Sequence, residues 1–204
     1  MLTSPLPNEG WPVVLQTRPA VDMDDNQFFE FCQLNRDWRI ERTAEGELII
    51  TPPTGWATGT SNARLNAALV SWADQDGTGV AGDSSTGFTL PNGATRSPDA
   101  AWVRKSRLAT LTKDQKNKFL PLCPDFVIEL RSPSDTLETL QDKMHEYLDN
   151  GAQLGFLIDP IERRVYIYRP GIAVICLDNP VTVSGNLELP GFVLDLAKIW
   201  DAPL

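Results

Sequence analysis

Long apolar runs are missing from this chain of 204 residues: no stretch of about 18 or more apolar residues occurs, so the sequence supports no membrane-spanning helix. No basic segment followed by an apolar stretch opens it, so a signal peptide is not expected and a cytoplasmic location is. Histidine is represented by His145 alone, which leaves a histidine-based zinc site or catalytic triad without support. Cysteine is scarce too. Cys32, Cys123 and Cys176 are odd in number and widely separated, so neither a disulfide framework nor a zinc cage is expected, and reduced, packed thiols are. Positive charge is in deficit, giving a formal net charge of −9, which argues against broad electrostatic capture of nucleic acid. Local patches still decide that question, and Arg96, Arg104, Lys105, Arg107 and the lysines from Lys113 to Lys118 form one such cluster. No Gly-x-Ser-x-Gly turn surrounds Ser84 and Ser85, the glycines from Gly77 to Gly87 do not form a phosphate loop, and no internal repeat or low-complexity tract is visible.

What is present suits one domain over residues 1–204, since 42% apolar content is enough for a full core at this length. The first 20 residues hold four prolines and read as an extended arm. A helix is expected from near Asp24, with Phe28, Phe31 and Cys32 at helical spacing. Trp38 to Arg42 and Glu47 to Thr51 flank Thr-Ala-Glu-Gly and read as a hairpin. Thr60 to Asp74 carries Leu65, Ala68, Leu69 and Trp72 on one face, a helix to lay on a sheet, with Asn62 and Asn66 on the same side. A second hairpin is expected from Val80 to Leu90 and Ala94 to Arg104, turning at Pro91-Asn-Gly93. After a polar stretch from Ser106 to Lys118 comes a buried strand, Asp125 to Leu130. Ser134 or Asp135 is then placed to cap a helix bearing Leu137, Leu140, Met144 and Leu148, which ends at Asn150-Gly151. Strands Leu154 to Ile158 and Val165 to Tyr168 follow, then short β elements and a last helical turn up to Trp200.

Asp99 opens the run Asp99-Ala-Ala-Trp-Val103, and Glu129 lies near the end of Asp125-Phe-Val-Ile-Glu-Leu130. Paired antiparallel, these strands would bring both carboxylates to one end of a sheet. Alternation puts Arg131 on the face of Glu129. Lys143, on the next helix and one turn before Tyr147, is placed to reach back over that end. Hydrolysis of a phosphodiester needs an activated water and cations that offset the developing negative charge; two carboxylates holding Mg²⁺ and a nearby lysine answer both needs. Taken singly, each residue has an ordinary structural role, but jointly they specify one site. Tyr147 is placed to buttress the lysine or bind substrate. Asp83 is a lesser candidate, brought beside Asp99 by the hairpin.

These segments, Ser-Pro-Asp99-Ala-Ala-Trp-Val, Pro124-Asp-Phe-Val-Ile-Glu129-Leu-Arg131-Ser-Pro-Ser-Asp135, Lys143-Met-His-Glu-Tyr147 and Gly151-Ala-Gln-Leu-Gly-Phe-Leu-Ile-Asp159-Pro, resemble the Uma-type restriction endonuclease-like family, a branch of the PD-(D/E)XK nuclease superfamily. The resemblance runs from about Thr51 to Pro170, and Leu189-Pro-Gly-Phe-Val-Leu-Asp-Leu fits the family's ending. It implies an α/β (α+β) fold, a central mixed sheet flanked by helices, with an added N-terminal hairpin and C-terminal β elements. It also implies Asp99 and Glu129 as ligands of Mg²⁺ or Mn²⁺. The residue two after the glutamate, usually lysine in the superfamily, is here Arg131, which stays charged and is suited to stabilising phosphate rather than to acting as a base. In this branch the lysine is carried by the next helix, which fits Lys143. Where relatives offer an acidic residue or histidine on the first core helix, no acid occurs from Thr54 to Ala73, and Asn62 is the polar substitute.

The expectation is therefore a metal-dependent endonuclease that hydrolyses DNA, in which Asp99 and Glu129 hold the ion and Lys143 and Arg131 assist. Superfamily members often act as dimers, so a homodimer is the expected assembly. The alternative from another class is a nuclease fold without catalysis, serving as a binding or assembly module, which the acidic charge and Arg131 favour. A third reading, hydrolysis of a smaller phosphoester, differs only in substrate.

Overall fold

The computed structural model describes residues 12–201. Of the expected arm, residues 1–11 lie outside the described part, and Val13–Leu15 forms the strand β1. Helix α1 (Asp25–Leu34) begins where Asp24 and Gln27 satisfy each other's backbone N–H groups as a capping box, and it buries Phe28. The expected hairpin follows as β2 (Arg39–Arg42) and β3 (Leu48–Thr51), with Gly46 supplying a φ of +95° in the connection. Helix α2 (Trp56–Asp76) starts earlier than the apolar pattern predicts, because Gly55 takes an extended N-cap conformation and the first turn is built from Trp, Ala, Thr and Gly residues that extend the helix ahead of its apolar stripe. It ends at Gly77, left-handed with φ +71°.

The second expected hairpin divides between two sheets. Strand β4 (Gly79–Asp83) pairs with β7 (Ala100–Arg104), whereas β5 (Phe88–Thr89) pairs with β6 (Thr95–Arg96), and β6 joins β2 through Arg42 and Thr95. Both strands of the ribbon break at one level. On one side Asp83 folds back, accepting hydrogen bonds from the Ser85 backbone N–H at 3.0 Å and its hydroxyl at 2.6 Å; on the other, Pro98 has no N–H to give a ladder. The chain forks there, and Asp99 is the first residue past the fork.

After short helices α3 (Lys105–Leu108) and α4 (Lys113–Lys116), β8 (Phe126–Leu130) enters beside β7. Helix α5 (Leu137–Asp149) crosses over to β9 (Leu154–Asp159), which lies parallel to β8. Thr136 caps α5, its hydroxyl accepting from the Thr139 N–H, in place of the expected Ser134 or Asp135. Asp135 is instead consumed by a turn, accepting from the Ser132 N–H and hydroxyl at 2.8 and 2.6 Å. Strands β10 (Arg164–Arg169) and β11 (Ile172–Asp178) complete a six-stranded sheet in the order β11-β10-β9-β8-β7-β4, antiparallel apart from β8 and β9. The other large sheet has the order β1-β3-β2-β6-β5. A ribbon, β12 (Thr182–Ser184) with β13 (Val193–Asp195), and α6 (Ala197–Trp200) close the described chain.

The central strands of the six-stranded sheet are buried on both faces, which explains the near-continuous apolar character of β8 and β9. On one face Leu65 and Leu69 of α2 pack with Trp102, Phe126, Ile128, Phe156 and Phe192; on the other, Leu140, Met144 and Tyr147 of α5 pack with Val127 and Leu157. Cys123 is buried and Cys32 partly so, as expected of packed thiols, but Cys176 is exposed because it lies on β11, the edge strand. Among the described residues no helix is long and apolar enough to cross a membrane.

Gly79 marks the tightest approach in this core: a Cβ there would fall within the indole of Trp102, which is itself packed against Trp72 at a ring separation of 5.7 Å. Gly79→Ala should therefore lower the unfolding free energy by about 2 kcal/mol, because a rigid ring must be displaced. Urea unfolding followed by tryptophan fluorescence checks this value.

Candidate active site

The β7–β8 register, with Ala100 opposite Ile128, places Asp99 opposite Glu129 one step further on. Each carboxylate is held by a different layer. Asp99 Oδ2 accepts from the Leu130 N–H at 2.8 Å, while Oδ1 is met by Arg39 Nη1 at 3.3 Å and Asn62 Nδ2 at 3.5 Å. Asn66, one turn along α2, donates to the Asp99 carbonyl at 2.9 Å and to Asn62 Oδ1 at 2.8 Å, so the two amides fix both the backbone and the side chain of the acid. Glu129 is 2% exposed and points toward α5, where the Tyr147 hydroxyl donates to Oε1 at 2.9 Å and the Lys143 ammonium lies 2.9 Å from the same oxygen. Lys143 and Tyr147 meet one carboxylate because they are a single helical turn apart.

Lys143 has a second partner that the sequence reading did not include. Glu41 Oε1, from β2, also lies 2.9 Å from its ammonium and accepts the Ser97 N–H at 2.7 Å. Arg39 Nη2 approaches Glu41 at 3.8 Å, and Arg96 bridges Glu41 to Glu146 of α5. Thus the smaller sheet sends Arg39 to Asp99 at the end of the larger one, and Glu41 and Arg96 to Lys143 and Glu146 of α5. The available signal was the alternation of Arg39 and Glu41 about Ile40, which looks like a solvated strand face. Only the fork, which folds one sheet over the end of the other, turns it inward.

The charge states follow from these neighbours. Burial acts to raise the Glu41 carboxyl, but Lys143, Arg39 and Arg96 outweigh it and hold it at about 2. For Glu129 burial prevails: Lys143 and Arg39 pull downward, Asp99 and Glu41 push upward, and the carboxyl rises to about 7. Burial works to lower the Lys143 ammonium, yet Glu129 and Glu41 raise it, so it stays charged.

The remaining expected residues lie apart from this group. Strand β8 ends at Leu130, and Arg131 turns to the buried Asp159 at 2.7 Å rather than joining Glu129. Asp83, though opposite Ala100, is exposed and bound within its own turn. Members of the basic cluster are engaged within the protein: Arg104 and Arg107 share Asp125 at 3.5 and 3.2 Å, Lys105 donates to the Gly77 carbonyl, and Lys118 pairs with Asp114.

Asp99 and Glu129 fit a hard divalent cation. They are neighbouring carboxylates, and burial together with repulsion from Asp99 and Glu41 resists ionisation of Glu129, a resistance that a bound cation would offset. Among the described residues no group of three or more His, Cys, Asp or Glu side chains gathers as a full cage. An ion resting on this pair would complete its shell with water, which suits Mg²⁺.

Two opposed pH responses should result. Folding takes up a proton at Glu129 between the ordinary carboxyl value of 4.5 and about 7, so stability declines as pH rises through that window. Glu41 stays ionised in the folded protein down to about 2, so its contribution is complete above 4.5 and is lost on further acidification. Thermal unfolding of Glu129→Gln should lose the first slope and keep the second, and Glu41→Gln should show a shallower acid limb.

Comparison with known proteins agrees with this architecture. Among curated proteins none matches the chain. Among solved structures, the crystal structure of "a putative nuclease belonging to DUF820" from Anabaena variabilis ATCC 29413 is similar, with a TM-score of 0.70 and 19% identity over 88% of this chain and 98% of that one. That likeness is one of fold, and it makes the mixed sheet with its flanking helices restriction endonuclease-like. A family model described as "Putative restriction endonuclease" matches residues 25–197, a span that includes the fork, both carboxylates and α5, and the chain belongs to that family, Uma2.

Proposed function

We propose that the chain is a divalent-metal-dependent endonuclease that hydrolyses DNA phosphodiester bonds, with Asp99 and Glu129 holding Mg²⁺ or Mn²⁺ and Lys143 stabilising charge on the phosphate. The observation that carries this reading is the convergence of Asp99, Glu129 and Lys143, from three separate segments, at one sheet end. When bound, the ion supplies Lewis acidity to the phosphoryl group and acidifies a water molecule. Asn62 and Asn66 orient Asp99, and Tyr147 fixes the rotamer of Glu129 by donating to Oε1. Lys143, kept protonated by Glu129 and Glu41, acts as a cation and has no lone pair to serve as a base. Family membership supports nuclease chemistry, and DNA is the substrate that a restriction endonuclease-like site suits. A fold retained without catalysis is favoured by one observation, that Lys143 and Arg39 already have carboxylate partners inside the protein.

Calorimetric titration with Mg²⁺ and Mn²⁺ beside plasmid nicking separates the two. Wild-type protein should bind saturably and nick, and Asp99→Ala combined with Glu129→Ala should abolish both. Equal metal binding by the two proteins would overturn the assignment of the carboxylates, and metal binding without nicking would favour the non-catalytic module or a smaller phosphoester. Lys143→Met should slow nicking by about 10²-fold or more while metal binding persists, as expected for loss of one charge-stabilising group.

A further inference from the structure

Asp99 Oδ2 is held by the fixed backbone N–H of Leu130, whereas Oδ1 is met only by side chains, those of Arg39 and Asn62, which can move aside for a cation. That oxygen is the one Arg39 approaches, at 3.3 Å. The same guanidinium leans toward Glu41 at 3.8 Å, donates to the Ser97 carbonyl and is drawn by the charge of Glu129. A positive group thus already stands among the carboxylates that fit a metal. Of the three cations in the cluster it is the one at the surface: its side chain is 34% exposed, against 12% for Lys143 and 10% for Arg96. Its nearest carboxylate is also the most distant of the three, at 3.3 Å against 2.9 Å for Lys143 and 2.5 Å for Arg96.

The charge balance indicates where such a group would go. Arg39, Arg96 and Lys143 face Glu41, Asp99, Glu129 and Glu146, one carboxylate more than cations when all are ionised. A divalent ion added to this set leaves it one positive charge in excess, which favours either departure of a cation or arrival of an anion. A phosphodiester carries the matching single negative charge, and a guanidinium binds its oxygens in a two-pronged fashion.

The geometry points to Arg39 as a guanidinium with two positions: it caps Asp99 Oδ1 until a cation claims that oxygen, and then turns outward to hold the substrate phosphate. This rests on the metal-dependent reading of Asp99 and Glu129 and adds to it a residue from the smaller sheet. Arg39 thereby competes with the ion in the resting protein and contributes to phosphate binding in the loaded one, so its removal should move metal affinity and cleavage in opposite directions. A merely structural arginine would not do so.

Two measurements test it. In Mn²⁺ calorimetry, Arg39→Ala should bind the ion about tenfold more tightly than wild type, the loss of one charge-assisted contact to Asp99, and should nick plasmid at least about tenfold more slowly at saturating Mn²⁺. In the unaltered protein, phenylglyoxal labelling of Arg39, located by mass spectrometry, should increase with Mn²⁺ and fall again when a short DNA duplex is added with Ca²⁺ replacing Mn²⁺ to prevent cleavage. The labelling needs no variant, so an unstable Arg39→Ala protein leaves the question decidable. If wild type binds Mn²⁺ but the variant binds no more tightly, or labelling ignores the ion, the role of Arg39 falls while the metal site stands. If neither protein binds Mn²⁺ and labelling is constant, both fall.

Discussion

The ammonium of Lys143 lies 2.9 Å from one carboxylate of each large sheet, Glu129 on β8 and Glu41 on β2, and is itself carried by the helix that links β8 to β9. Taking these charges out of water is costly, and their mutual attraction offsets the cost only while all partners are present. Loss of one member of such a buried set is typically worth about 3–5 kcal/mol, so the pairing fixes how the smaller sheet sits on the larger one. An apolar cluster also spans that junction, with Phe88 of β5 beside Ala101, Val103 and Val127 of the larger sheet, while Phe28, Ile40 and Leu48 form their own cluster under the smaller one. Among the described residues no strand ladder joins the two sheets, since the Arg42–Thr95 pair lies within the smaller one, and the ionic group adds polar specificity to their junction.

Most of the fold could be read from periodicity. The stripes of α2 and α5, the first hairpin and the buried strands β8 and β9 depend on local patterning, and each was placed to within a few residues. The errors arose where local patterns compete. Val80 to Leu90 and Ala94 to Arg104 do fold back on each other, but the paired break at Asp83 and Pro98 sends the two ends of the ribbon into different sheets. Pro98 was visible; its effect depends on what faces it across the ladder, which a single strand does not reveal. The cap of α5 was missed for a similar reason, since Asp135 satisfies a turn and leaves Thr136 to the helix.

For the candidate site, juxtaposition of Asp99, Glu129, Lys143, Tyr147 and Asn62 follows from spacing on successive elements. Arg39 and Glu41 lie far away in sequence, Arg96 lies just before the break at Pro98, and all three reach the site from the smaller sheet, which the spacing of Asp99, Glu129 and Lys143 does not reveal. Arg131 illustrates the limit of alternation as a guide: the strand stops one residue before it, and the buried carboxylate of Asp159 decides its direction. Charged residues beyond a strand end follow their nearest partner rather than the pleat.

The burial of the ionic joint has a consequence for behaviour in salt. Exposed charges separated by more than a Debye length are screened, whereas desolvated contacts of about 3 Å are screened far less. Raising ionic strength therefore leaves the Glu41–Lys143–Glu129 bridge nearly intact while it damps the long-range field of a chain carrying −9. For a polyanion approaching this acidic surface, that field is repulsive. Moderate salt should ease encounter without loosening the site, the reverse of the dependence shown by proteins that gather nucleic acid on a basic face.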